Sequence, residues 1–131
     1  KPMKYMNLSG PPIKKIVNFY DINIENNLIV IHDDLDICFP KIRIKSSGGH
    51  GGHNGIRNII DYLGKNFHRI KIGIKNKSIL EKNILPTNFV LDKFDKNEIK
   101  DIEIIKRNFA DNFSLIIEKK FSLLKINYKD I

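Results

Sequence analysis

The segment SSGGHGGHNGIRNII, residues 46–60, gathers five of the chain's eight glycines and two of its four histidines directly ahead of an apolar helical pattern. Glycines let a backbone approach a ligand closely, and a helix starting just after them offers free N–H groups to an anion. That chemistry suits an ester or a phosphate. Two other readings stay open on the residues alone. His50 and His53, joined by His32 and Asp33, have the chemistry to hold zinc, although no cysteine lies in the loop. A tight strand-to-helix turn with surface histidines uses the same residues with no chemistry at all. A nucleotide-binding fingerprint is excluded. No Lys-Ser/Thr follows the glycines, and Asn54 falls where G-x-G-x-x-G requires its last glycine.

Two further stretches carry reactive types. HDDLD (32–36) offers an aspartate beside a histidine, either as a loop cap or as a carboxylate that holds an imidazole in one tautomer and stabilises its protonated form. Asn7 in YMNLSG is either a turn residue or a side-chain amide aimed at a carbonyl.

The elements that must position these groups follow from periodicity. Ser9 is predicted to cap a helix with Pro11 and Pro12 in its first turn and Ile13, Ile16, Val17 and Tyr20 on one face. NLIVI (27–31) is predicted as a strand buried on both faces, ending in His32, Asp33 and Asp34. In open α/β sheets that strand end is where ligands bind. KIRIK (41–45) alternates, with Ile42 and Ile44 inward and Lys41, Arg43 and Lys45 outward. Asn54 is expected to cap a helix bearing Ile56, Ile59, Ile60 and Leu63, stopped by Gly64. HRIKIGI (68–74) alternates again, with Ile70, Ile72 and Ile74 on one side and Arg69 and Lys71 on the other. Residues 75–94 read as an irregular loop broken by Pro86. Asp95 and Glu98 form a capping-box pattern before one long amphipathic helix marked by Ile99, Ile102, Ile105, Phe109, Phe113 and Ile116. The tail EKKFSLLKINYKDI is basic and amphipathic. Strands alternating with helices make this an α/β chain.

Composition bounds the partners. The chain has 131 residues, 41% hydrophobic and 29% charged, as an ordinary soluble domain does. No apolar run approaches the roughly 20 residues that span a bilayer. The lone Cys38 excludes an intramolecular disulfide and suits a reducing cytoplasm. A net charge of +8 favours a polyanionic partner through steering and counterion release, although many lysines are merely solvated surface. With no initiator Met and no strand before the first turn signal, a fragment or processed chain is expected.

YMNLSG, VIHDDLD and GGHGGHNGIRNII, in that order and followed by FHRIKIGI and NFVLDKF, resemble the signature segments of the bacterial peptidyl-tRNA hydrolase family. The resemblance implies a single α/β domain with a mixed twisted sheet flanked by helices. Residues 1–131 would be its C-terminal two-thirds, without the N-terminal strands and first helix. It also implies hydrolysis of the ester joining a peptide to the 3′-terminal ribose of tRNA, with no metal or organic cofactor. The enzyme would be a cytoplasmic monomer whose partner is the acceptor stem and 3′ end of peptidyl-tRNA, with no membrane involved. Carried over one position at a time, Tyr5 and Asn7 resemble the family's tRNA- and peptide-contacting aromatic and asparagine, and Met6 lines the same cleft. Asp33 resembles the carboxylate that stabilises the basic form of the catalytic histidine. His53 and Asn54 resemble the pair flanking the scissile bond, with Asn54 contacting the tRNA end or the attacking water. Lys45 and Lys71 stand where basic residues grip the 5′-phosphate region, with Arg43 nearby.

One departure is expected to matter. The family's catalytic histidine belongs to a segment ahead of YMNLSG, and none of His32, His50, His53 or His68 matches it. These 131 residues by themselves are therefore expected to be inactive and poorly stable. The alternatives are a non-hydrolytic RNA-binding relative of the same fold, which would abandon the reaction corner, and a degenerate truncated gene product.

Overall fold

A central strand, β3 (His68–Lys75), organises the sheet, which runs in the order β1-β3-β2. The computed structural model describes residues 5–75 and 96–119. Strand β1 spans Ile29–Cys38 and β2 spans Ile42–Lys45. Hydrogen bonds at the strand ends set the directions. His68 N donates to Leu28 O where β1 and β3 both begin, and Phe39 N donates to Lys75 O where both finish, so the two are parallel. Gly73, late in β3, donates to Lys41 O just before β2, so that pair is antiparallel. The sheet is mixed, and among the described residues five α-helices accompany it: α1 (Gly10–Phe19), α2 (Ile24–Asn27), α3 (Asn54–Leu63), α4 (Lys96–Asp111) and α5 (Phe113–Ile117). The α/β class expected from the sequence holds.

Two compact units make up the chain: Lys1–His32 with Ile44–Ile70, and Asp33–Arg43 with Lys71–Ile131. The first is built on α3. Its Ile56, Ile59 and Phe67 form a buried cluster, against which Ile13, Leu28, Val30, Ile60 and Leu63 pack. Each such side chain removed from water contributes about 1.5–3 kcal/mol, which outweighs the weak helix propensity of the isoleucines. Helix α1 packs on α3 at near-backbone contact. The Gly10 N–H donates to Asn58 Oδ1 at 2.7 Å, and a Cβ at Gly10 would stand 2.5 Å from the Asn58 carbonyl oxygen.

Among the described residues of the second unit, Ile37, Ile74, Ile105 and Ile116 are the buried hydrophobics. Gly73 is pressed there against β1: an added Cβ would lie 2.5 Å from the carbonyl oxygens of both Ile37 and Cys38. Cys38 to Lys41 reverse the chain through a cis Phe39–Pro40 peptide, closed by Lys41 N donating to Cys38 O at 2.8 Å.

Several expectations need correction. Strand β1 does not end at HDD but runs on to Cys38, because Phe39 and Lys75 complete its pairing with β3. His32, Asp33 and Asp34 are thus mid-strand. Nor is NLIVI buried on both faces, since Ile31 is 52% exposed and Asn27 closes the short helix α2, whose N-cap Asn23 accepts from Asn26 N. Ser9 occupies the N-cap position of α1, but its hydroxyl donates back to Met6 O at 2.6 Å. The reason is local. Ser9 also closes the 3₁₀ turn Met6–Leu8 and has helical dihedrals, so its side chain faces the preceding turn. On α1 only Val17 of the predicted face is buried, while Ile16 and Tyr20 are exposed. The long C-terminal helix is two helices. Asn112 interrupts them, its side-chain amide donating to Asn108 O, and Phe113 and Ile99 are exposed. Asp95 of the predicted capping box, the 75–94 loop beyond Lys75, NFVLDKF and the basic tail beyond Lys119 lie outside the described residues.

Gly10→Ala and Gly73→Ala should each lower stability by about 1–3 kcal/mol, because the intruding methyl meets backbone in both cases. Gly49→Ala has open space around the new Cβ and should stay within about 0.5 kcal/mol of the parent. Urea midpoints measured on the intact protein compare the three.

Candidate active site

The glycine segment resolves into a set of nested hydrogen bonds. His50 accepts from its own loop twice: Gly52 N donates to its Nδ1 at 2.9 Å and His53 N to its carbonyl oxygen at 3.0 Å. Between them Gly51 and Gly52 take φ of 57° and 84°, which only glycine adopts readily. His53, not Asn54, is the N-cap of α3. Its backbone is extended, its carbonyl accepts the first helical bond from Arg57 N, and its Nδ1 accepts from Ile56 N at 3.2 Å. Asn54 is the first helical residue, exposed, with its side chain free of capping duty. A ring nitrogen that accepts carries no proton, so the cap bond leaves Nε2 as the nitrogen of His53 that bears hydrogen.

The imidazole of His53 meets that of His32 edge to face, with ring centroids 5.0 Å apart and planes at 74°. Gly55 brings the 3₁₀ turn to the same place. A Cβ at Gly55 would lie 2.9 Å from Met6 O, 3.2 Å from Met6 Cγ and 3.0 Å from His53 Cε1. Met6, His32, His53 and the start of α3 thus form one corner of the first unit, with Tyr5, Met6 and Asn7 exposed along the turn beside it. Lys45, exposed at the end of β2, extends along Gly48: its Nζ would be 3.1 Å from a Cβ placed there.

Within the second unit, Asp33 is half-buried on β1 and Arg43 is exposed on β2. Lys71 pairs with Asp34, Nζ to Oδ2 at 3.3 Å, with both side chains largely covered. The other Asp34 oxygen accepts from Asp36 N at 2.8 Å. Lys71 is thus already charge-compensated, a fact that alternation along HRIKIGI gives no sign of. Among the described residues no group of three or more His, Cys, Asp or Glu converges in a way that could hold a metal ion.

Arg69 is the residue that sequence reasoning misplaced. Alternation puts it outward with Lys71, yet it is fully buried. Its guanidinium donates to the carbonyls of Gly48, Gly49 (2.5 Å) and Lys65 (3.1 Å), and lies 4.5 Å from the Phe67 ring centroid. Burial lowers its pKa from the ordinary guanidinium value. Three carbonyl dipoles and an aromatic face replace hydration at its two terminal nitrogens, which is how a buried cation without a carboxylate is tolerated, while Nε is buried without a hydrogen-bond partner. The only hint in the sequence is FHR itself, an aromatic two residues ahead of the arginine in the strand.

No helix among the described residues is long and apolar enough to cross a membrane. The family model for peptidyl-tRNA hydrolase matches residues 1–130. The chain is 43% identical over 129 residues to a peptidyl-tRNA hydrolase of Onion yellows phytoplasma, covering 98% of this chain and 66% of that protein. A Rickettsia bellii peptidyl-tRNA hydrolase is 39% identical over 125 residues, 95% of this chain and 65% of that protein. The crystal structure of the Acinetobacter baumannii peptidyl-tRNA hydrolase superposes with a TM-score of 0.80 at 34% identity, covering 98% of this chain and 65% of that one. This chain spans slightly less than two-thirds of the length of these relatives. A family model matched over residues 1–130, together with these relatives, shows that the chain belongs to the peptidyl-tRNA hydrolase family.

Proposed function

We propose that this protein hydrolyses the ester between a peptide and the terminal ribose of tRNA, and so recycles tRNA from stalled or dropped-off translation. The observation that carries the reading is the family match over residues 1–130, supported by the presence of Asn7, Asp33, His53 and Asn54 in the sequence. In the reaction water adds to the ester carbonyl carbon, the bond to the ribose oxygen breaks, and that oxygen leaves with a proton. The step needs a base for the water and donors for the developing oxyanion. None of the chain's histidines is assigned the base. His53, with Nδ1 engaged by Ile56 N, supplies an Nε2–H donor beside the ester. Asn54, first in α3 and exposed, contacts the tRNA end or the attacking water. Asn7 directs its amide at the peptide carbonyl, with Tyr5 and Met6 as apolar contacts along the same turn. Asp33 supports the histidine base as the carboxylate of a triad does.

The tRNA partner is held through phosphates by Lys45, Lys71 and Arg43. The +8 charge supports a polyanionic partner. Lys71 has to exchange Asp34 for a phosphate, so its contribution to binding is smaller than that of an unpaired lysine. We further place residues 1–131 in a single hydrolase domain, acting as a monomer in the cytoplasm without a metal or organic cofactor.

In the intact protein, Asp33→Asn should reduce turnover at least about tenfold while tRNA affinity holds. Unchanged turnover removes Asp33 from the reaction, and tRNA binding with no hydrolysis in the parent itself favours a non-hydrolytic RNA-binding relative. His53→Asn keeps a side-chain acceptor for Ile56 N. It should therefore preserve stability within about 0.5 kcal/mol yet lose turnover, whereas His53→Ala should lose both, the cap being worth about 1 kcal/mol. Lys45→Ala should flatten the salt dependence of tRNA binding by about one phosphate contact. Asp34→Asn should tighten tRNA binding by releasing Lys71, and a salt titration that does not move marks that pair as structural.

A further inference from the structure

We infer that Arg69 is a positioning residue of the reaction: its buried guanidinium clamps both flanks of α3, and so sets where His53 and Asn54 meet the substrate. The inference rests on reading the glycine loop as the ester-handling corner. Helix α3 spans Asn54–Leu63. Ahead of it lie Gly48 and Gly49, behind it Lys65, and the carbonyls of all three accept from Arg69. One side chain on the central strand thereby ties the entry and the exit of the helix to β3.

The loop needs such an anchor. Gly48, Gly49, Gly51 and Gly52 have the largest conformational freedom to lose on ordering. Within the loop Gly52 N and His53 N donate to His50, and Ile56 N donates to His53. They fix its internal shape and bind it to α3. The bonds from Arg69 to Gly48 and Gly49 join that shape to the sheet. They also orient it. In a trans peptide the carbonyl and the following N–H point opposite ways, so drawing the Gly48 and Gly49 carbonyls toward the guanidinium turns the Gly49 and His50 amides away from it. Phe67, itself fully buried, lies against the guanidinium and helps hold the fork in place, with both terminal nitrogens engaged by carbonyls.

A lysine cannot substitute. It keeps the charge but offers a point donor where a planar fork spans two successive carbonyls and a third. A packing residue would affect folding in proportion to activity. A positioning residue affects the loop and the chemical step while the core and tRNA affinity persist.

The test is Arg69→Lys in the intact protein, read by amide hydrogen exchange and by steady-state hydrolysis of peptidyl-tRNA. In the parent, the Gly52 and His53 amides should exchange well below the free-chain rate. In the variant they should lose about tenfold or more of that protection while Ile59 and Ile60 in α3 keep theirs, and kcat should fall about tenfold or more with KM within about twofold. The inference is overturned if the parent loop exchanges at the free-chain rate, a measurement that needs no variant to fold. It is equally overturned if Arg69→Lys leaves loop and kcat unchanged, or if loop and core protection fall together. Loop protection as expected with no hydrolysis in the parent would overturn the functional reading and leave the clamp itself standing on the exchange data.

Discussion

A guanidinium with no water around it has to be satisfied in place, and that requirement shapes the first unit of this chain. Arg69 is fully buried, and its partners are peptide carbonyls and an aromatic face. Removing a cation from water is costly enough that such a residue persists only where the surroundings supply several dipoles at once. Two of those dipoles come from consecutive glycines, where no Cβ obstructs the approach of the backbone. The glycine richness of residues 46–55 thus serves the interior as much as any ligand. The loop is flexible by composition and ordered by its anchor.

His53 shows a similar economy. Its Nδ1 replaces a lost helical partner for Ile56 N, which fixes the ring's orientation and its tautomer together. A serine or aspartate would cap as well, but neither carries a second ring nitrogen. The edge-to-face contact with His32 restrains the same ring from the side. Met6 closes the corner because Gly55 lets the 3₁₀ turn approach within van der Waals distance of α3. Structural and chemical duties therefore fall on the same side chains.

Charge follows a different logic. A surplus of 23 basic over 15 acidic side chains attracts a polyanion from a distance, but it does not identify which cations touch it. Of the cations along the two alternating strands, Arg69 is withdrawn into the interior, Lys71 is paired with Asp34, and Arg43 and Lys45 remain exposed. Proximity in a basic strand is thus a poor guide to availability. Pairing and burial decide it.

Read by itself, the chain was explicit wherever the cause is local. Helix 54–63 with its Gly64 stop, the strands around KIRIK and HRIKIGI, the α/β class and the family motifs all follow from short-range periodicity, turn chemistry and the order of segments. The residues of the candidate corner were legible in type, and Asn54 differed from the observed cap by a single position. What the sequence left undetermined depends on partners far along the chain. Strand β1 runs to Cys38 because Lys75 is there to pair with Phe39, and Lys71 is masked because Asp34 meets it. Arg69 turns inward because Gly48, Gly49 and Lys65, 21, 20 and 4 residues away, aim their carbonyls at one point. Alternation predicts which way a side chain points only when burial is set by polarity. Where folding brings enough dipoles to one place, a charge can be held inside, and only the tertiary structure decides that.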